Sequence, residues 1–328
     1  MSEKFLFRKA PDILLAVIIV LIFTVFCGCK NREKIFTVGI AMHTSVHLPV
    51  IEGFKAGMAG YGYIEGKNIR YFSAGVLGDD LELIDAEIKK LLSQGPDLFL
   101  TTGNRVSLRA KKALEGTDIP VIIGASSRPV EEGLVESLQR PGGNITGVRV
   151  ADSMPKLLEL LALVVRGEKI IYLPYNPDDQ VSVVALEGLD DAASLLGVRL
   201  LKQEIHSVEE AIAAIESLSE DIGAIYRVPS PTLDSRNNEL TMAAMERGIP
   251  VGSVLPLDDS VLITLASELF ATGKQAARIA DQIIQGAKPS DLPVETSEAR
   301  LTINLKTATQ LGINVPDEIL ARANKIIR

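Results

Sequence analysis

Three histidines, His43, His47 and His206, are the first candidates for chemistry. His43 and His47 stand four residues apart, a spacing at which two metal ligands can share a helix face. Pro49 and the end of an apolar run just before them argue against one continuous helix, and no His-Glu-x-x-His pattern is present. The pair therefore reads as loop or surface histidines. Gly124-Ala125-Ser126-Ser127-Arg128 starts like a nucleophile elbow but lacks its closing glycine. Thr272-Gly273-Lys274-Gln275 has the end of a phosphate loop without the upstream glycine, and it falls inside a helical stretch. Both cysteines, Cys27 and Cys29, lie close to the N-terminus, so from Lys30 onward there is no disulfide, no cysteine–metal site and no thiol nucleophile. The expectation is a protein that is not an enzyme and carries no metal and no cofactor.

Polar residues gather instead just after the short apolar runs. Thr44 and Ser45 follow the first such run, Thr102, Gly103 and Asn104 the third, and Ser126, Ser127 and Arg128 the fourth. Tyr175 and Asn176, Arg227 and Ser230, and finally Ser267 follow later runs. Each cluster opens a helical stretch, where unpaired N–H groups and the positive end of the helix dipole favour an anionic group. Any one of these Ser, Thr or Asn residues by itself is better explained as a helix N-cap. Taken jointly, the clusters predict a ligand site.

The elements that must position these residues are legible from periodicity. Phe36–Met42, Asn68–Ala74, Asp97–Thr102 and Pro120–Ala125 read as strands, and helical spacing marks the stretch around Val50–Tyr61, Leu81–Leu92, Val106–Leu114 and Val130–Leu138. A second run follows, with strands at Lys169–Leu173, Val198–Lys202, Ala224–Val228, Pro250–Val254 and Val261–Leu265. Helices are expected at Val181–Leu196, Val208–Leu218, Asn237–Arg247 and on to Ile284. The tail adds a strand at Arg300–Asn304 and helices near Thr307–Leu311 and Asp317–Ile327. Fully apolar strands separated by amphipathic helices imply parallel sheets covered on both faces. The fold class is therefore α/β, with two doubly wound parallel-sheet lobes facing each other across a cleft. Ligands of such sheets bind beyond the carboxyl ends of the strands. The expected division is residues 30–150 in lobe 1, completed by about 265–328, and 151–264 in lobe 2.

Bulk properties agree with a soluble binder. The 328 residues are 47% hydrophobic, with a net charge of -8 and no Trp. The acidic balance makes nucleic acid an improbable partner. Lys4, Arg8 and Lys9 precede the apolar run Ile13–Phe26, which at ~1.5 Å per residue covers only ~21 Å and suits a secretory h-region better than a span. Phe26-Cys27-Gly28-Cys29 resembles a lipoprotein lipobox, although Phe26 and Cys27 depart from its usual Leu and Ala or Ser. Residues 1–29 are thus expected to be a signal peptide ending at a lipidated Cys29; the other reading is an uncleaved anchor.

Several segments carry a family resemblance. Gly133-Leu134-Val135-Glu136-Ser137-Leu138-Gln139-Arg140-Pro141-Gly142-Gly143-Asn144-Ile145-Thr146-Gly147-Val148 resembles the signature of a family of ABC transporter substrate-binding proteins that includes tryptophan- and tyrosine-binding lipoproteins. Gly53-Phe54-Lys55, Gly62 to Ile69, Pro293-Val294-Glu295-Thr296 and Ile303 to Ala308 match in order, over nearly the whole of Ile35 to Ile327. The resemblance implies a type I periplasmic-binding-protein fold, a small polar solute such as an amino acid or related carboxylate in the cleft, ABC permease subunits as partners, and a lipid-anchored place on the extracytoplasmic face of the cell membrane. A sensory protein signalling to a membrane partner is the alternative. Within the signature, Pro141 fixes its φ and Gly142-Gly143 permit positive φ, so the segment reads as a tight turn into a strand.

The chain also departs from the family. Ser127-Arg128-Pro129-Val130 stands where Thr-Asp-Pro-Val is usual, Arg149-Val150 where Ser-Asp is usual, and Ala266-Ser267-Glu268-Leu269 where Tyr-Gly-Pro-Asp is usual. With Arg227 near another strand end, the arginines predict a ligand of more acidic character than an aromatic amino acid, since the guanidinium fork suits carboxylates. Pairing of these arginines with Glu131, Asp152 or Asp234 is the alternative.

Overall fold

Runs such as Phe36–Met42 are short enough for strands and too uniformly apolar to leave a face in water. In a computed structural model, which describes residues 34–78, 80–164 and 170–328, they form the interior strands of two sheets. The expected export segment, Ile13–Phe26 with Cys29, lies outside the described residues.

The first lobe starts with β1 (Phe36–Met42), α1 (Leu48–Gly60), β2 (Ile69–Val76), α2 (Leu81–Leu92), β3 (Leu98–Thr102), α3 (Asn104–Ala113), β4 (Val121–Ser126) and β5 (Ile145–Arg149). The chain then builds α4 (Met154–Val164), β6 (Ile170–Tyr175), α5 (Gln180–Leu186), α6 (Leu189–Leu196), β7 (Arg199–Glu204), α7 (Val208–Glu216), β8 (Ile222–Arg227), α8 (Pro231–Asp234), α9 (Asn237–Glu246), β9 (Val251–Ser253) and β10 (Ile263–Ser267). It ends with α10 (Leu269–Ile284), β11 (Glu295–Thr296), β12 (Ala299–Asn304), α11 (Leu305–Gln310), α12 (Asp317–Leu320) and β13 (Lys325–Ile327).

One sheet has the order β11-β5-β4-β3-β1-β2 and is parallel throughout. The other has the order β13-β12-β10-β9-β8-β6-β7 and is parallel except where β12 runs against β10. The pleat sends alternate residues to opposite faces. Leu98, Leu100 and Ile122 pack with α1 and α10 on one side of the first sheet, while Phe99, Val121 and Ile123 pack with α2 and α3 on the other. Each lobe thus has two cores separated by its sheet, as the doubly wound expectation requires.

Four local expectations are corrected. Val130–Leu138 is not a helix: the N–H groups of Leu134 and Val135 both reach Pro129 O, at 2.8 and 3.1 Å, and the apolar residues are buried by a turn rather than a helical face. Val181–Leu196 is two helices, because Gly188 adopts a left-handed φ of 77° between them. The Asp317–Ile327 stretch is a single helical turn followed by β13. Residues 265–328 do not all return to the first lobe: α10 and β11 do, whereas β12, α11, α12 and β13 join the second sheet or its core. The turn of the signature segment forms as expected, with Gly142 and Gly143 at φ 77° and 56° before β5.

The chain therefore crosses between the sheets three times, after Arg149, after Ser267 and after Thr296. One hydroxyl pair joins the crossings. Ala151 N–H lies 3.3 Å from Ser267 Oγ and 3.2 Å from Ser297 Oγ, and Ser297 Oγ donates to Ser267 Oγ at 2.9 Å. Beside them α10 lies hard against α1. A Cβ on Gly273 would sit 2.0 Å from Val50 O, and one on Gly53 would sit 2.0 Å from Phe270 O. The lysine and glycine of the phosphate-loop look-alike are thus parts of a helix crossing.

Candidate ligand-binding site

Parallel pairing of β1, β3 and β4 brings their carboxyl ends to one edge of the first lobe. The loops beyond them are tied together: His43 N–H donates to Thr102 O at 3.1 Å and Gly103 N–H to Ala125 O at 3.0 Å. Helix α3 starts there with Gly103 as its N-cap, a residue that brings no capping side chain. Its first turn, closed by Ser107 N–H to Gly103 O at 3.0 Å, presents backbone donors at the positive end of the helix dipole.

Around that turn lie polar atoms that the protein itself leaves unsatisfied. Thr102 Oγ1, Asn104 Oδ1, Ser126 Oγ and His47 Nδ1 are all buried without a hydrogen-bond partner. The neighbouring Thr101 Oγ1, by contrast, is bonded to Ser107 Oγ at 2.8 Å. An unsatisfied buried polar group costs about 1–3 kcal/mol, so four at one strand edge are an unusual expense unless something else bonds them. Asn104 is oriented: its Nδ2 donates to Ser127 Oγ at 3.2 Å and to Glu132, which leaves Oδ1 as an acceptor. Burial pulls the His47 imidazole down to about 4, with His43 adding to the effect, so His47 is neutral near pH 7. Burial also raises the Glu132 carboxyl, against the opposing hydrogen bond from Asn104.

The remaining expected site residues have other employment. Thr44 caps the short turn before α1, its Oγ1 accepting from Val46 N–H at 3.1 Å, and Ser45 is exposed in that turn. In the second lobe Tyr175 Oη donates to Glu204 at 3.0 Å. Asn176 is buried, donating to Thr232 Oγ1 at 3.1 Å and accepting from Asp178 N–H at 2.8 Å. Arg227, expected at the ligand, is a correction: it is 1% exposed and bonds Asn237 Oδ1 at 2.8 Å and Asp234 Oδ1 at 2.9 Å, with only Nε left over. Ser230 is likewise an internal N-cap, accepting from Leu233 N–H and donating to Asp179. Ser267 belongs to the crossing cluster described above.

The arginines that predicted an acidic ligand are all partnered. Arg128 pairs with Glu187 of the other lobe, Arg149 Nε donates to Thr296 Oγ1 at 3.0 Å, and Arg227 pairs with Asp234. Asp234 was foreseen as a pairing partner; Glu187 was not. The sequence reading missed His47 as part of the edge. The signal it offered was position, since His47 lies in the same loop after β1 as Thr44 and Ser45.

A model of the family described as ABC transporter substrate binding protein matches residues 36–327. The chain belongs to that family. Among its relatives is a tyrosine-binding protein of Clostridioides difficile strain R20291, 28% identical over 290 residues, 87% of this chain and 82% of the relative. Among solved structures, an ABC domain from Streptococcus pneumonia in complex with L-Trp aligns with a TM-score of 0.75 at 23% identity, over 90% of this chain and all of that one (100%). A ligand-free, open substrate-binding protein with adhesive properties from Clostridium difficile aligns with a TM-score of 0.74 at 25% identity, over 89% of this chain and 99% of that one. The fold is thus that of the type I periplasmic binding proteins, and this family member is a solute-binding protein rather than an enzyme.

Proposed function

We propose that this family member is the solute-binding component of an ABC importer and that its solute is an amino acid held as a zwitterion between the lobes. The four unsatisfied atoms at the first lobe's edge carry this reading. The α3 N-terminus and the hydroxyls of Thr102 and Ser126 suit a carboxylate, and Asn104 Oδ1 is an acceptor aimed by its own amide for an ammonium. No unpartnered guanidinium from Arg128, Arg149 or Arg227 favours a second acid group. The tyrosine-binding relative and the L-Trp complex make aromatic amino acids the first ligands to try. Lobe 2 of this proposal comprises residues 151–267 with the tail from 297, and closes on lobe 1 about the three crossings.

The absence of Trp from the chain makes the test direct. L-Tryptophan's own indole emission, excited at the red edge where the chain's tyrosines scarcely absorb and titrated with the protein, reads binding against little background. A saturable change that L-tyrosine or another amino acid competes away supports the reading. Stabilisation by dicarboxylates but by no neutral amino acid would return the acidic solute.

The proposal also places the protein on the extracytoplasmic face of the cell membrane beside its permease, held by a diacylglyceryl group on Cys29. No helix among the described residues is long and apolar enough to cross a membrane, and a double acyl chain would suffice as an anchor. Cys29→Ser should move the protein to the soluble fraction. Retention would mean that Ile13–Phe26 stays as the anchor.

A further inference from the structure

The contact between Arg128 and Glu187 joins the two lobes two residues beyond Ser126, whose carbonyl accepts from Val150 N–H at 2.7 Å at the first crossing. Arg128 follows β4 in the first lobe, and Glu187 is the C-cap of α5 in the second. The same guanidinium also feels Glu131 and Glu132 of its own lobe. The turn that carries these residues is closed by Glu132 N–H to Arg128 O at 3.1 Å, which keeps the backbone of Glu131 and Glu132 next to Arg128 independently of the second lobe. Glu132 in turn accepts from the amide of Asn104, whose Oδ1 is one of the unsatisfied atoms of the ligand edge.

We propose that Arg128 is a charge latch with two seats: it holds Glu187 when the lobes meet and falls back on Glu131 and Glu132 when they part. The inference rests on the solute-binding reading above for its purpose, though not for its geometry. Two seats matter physically because separating the lobes then strands no cation, so opening meets little electrostatic resistance. The Asn104–Glu132 bond links the latch to the site. A solute ammonium that bonds Asn104 Oδ1 fixes the amide and holds Glu132 on it, which weakens the home seat and favours Glu187. Arg128 acts as a positioning residue for closure.

Both partners are partly exposed, at 37% and 58% of their side chains, so the latch is a modest one. The test uses the full-length protein without added solute and follows amide hydrogen exchange in the segments around Arg128 and Glu187. Arg128→Glu and Glu187→Arg should each speed exchange in both segments. The double reversal should restore protection to the original level or beyond, because the carboxylate introduced at 128 is repelled by Glu131 and Glu132 and has only the far seat. With L-tryptophan as the probe, Glu187→Arg should weaken binding by roughly 2- to 5-fold, mainly through faster dissociation, and the double variant should recover it. Melting curves identify any variant that is simply misfolded; lysine in place of Arg128 then provides a milder variant that keeps the charge and should keep most of the protection. Unchanged exchange in both single variants, or exchange still raised in the folded double variant, overturns the latch. Failure of L-tryptophan to bind the unsubstituted protein would count against the solute reading, while the exchange data would still decide the latch.

Discussion

At the scale of single residues, the proposed site is defined by what the protein does not bond for itself. Ser126 and Asn104 are the sharpest cases, one a buried hydroxyl and the other a buried amide oxygen. Ser126→Ala should leave the melting temperature unchanged or raise it, since it removes an unsatisfied group, while weakening amino-acid binding about 10-fold. Paired melting and indole-emission titrations check both halves. Asn104→Leu should cost more, because Glu132 and Ser127 lose their donor as well. His47 gives a pH signature. Its folded value of about 4 lies below its ordinary 6.5, so the unfolded chain takes up a proton first as pH falls. Its contribution to stability is complete above about pH 6.5 and is lost as pH falls from there towards 4, by of order 1–3 kcal/mol. His47→Asn should therefore lose less stability than the unsubstituted protein between pH 7 and 4.5, as read by denaturant melts at the two pH values. Polar residues after strands were visible in the sequence. Which of them keep their hydroxyls free for the proposed solute was not, because Ser230 and Ser126 look alike until hydrogen bonding shows one hydroxyl capping a helix and the other without a partner.

At the scale of elements, most strands were readable, because a short run that is apolar on both faces has few other ways to satisfy water. The errors fell where tertiary contacts overrode a local pattern. Val130, Leu134 and Leu138 have helical spacing, but Pro129 and Gly133, just before Val130 and Leu134, turn the chain first. Lys325–Ile327 joins β12 by pairing that no local window contains. The α1–α10 crossing was equally hidden, and it makes a clear prediction. Ala for Gly inside an exposed helix gains about 1 kcal/mol, yet Gly273→Ala places a methyl on the main chain of α1 and should cost about 3 kcal/mol or more. Gly60→Ala, in α1 with nothing within 4 Å, is the control and should be neutral or mildly stabilising. Chemical denaturation of the two variants side by side decides it.

At the scale of the whole molecule, the two-lobed architecture followed from the repetition of one α/β pattern without a linker, and the family resemblance agreed with it. The number of crossings did not follow, since the third depends on β12 entering the second sheet beside β10. The Ser267–Ser297 pair should bias how the lobes move about those crossings. Ser267→Ala combined with Ser297→Ala should alter the dissociation rate of bound L-tryptophan by a few-fold with little change in melting temperature; stopped-flow emission would show it, and an unaltered rate would make the pair merely structural. The threading has a further result for the life of the chain. Each lobe is assembled from segments far apart in sequence, and the second is finished only by residues beyond Thr296. While synthesis is under way β10 has an unpaired edge and the second core lacks its last wall. Neither lobe can reach its final form before the C-terminal strands have emerged. If the chain is exported unfolded, as proposed above, this topology would delay its closing up until the whole chain is available.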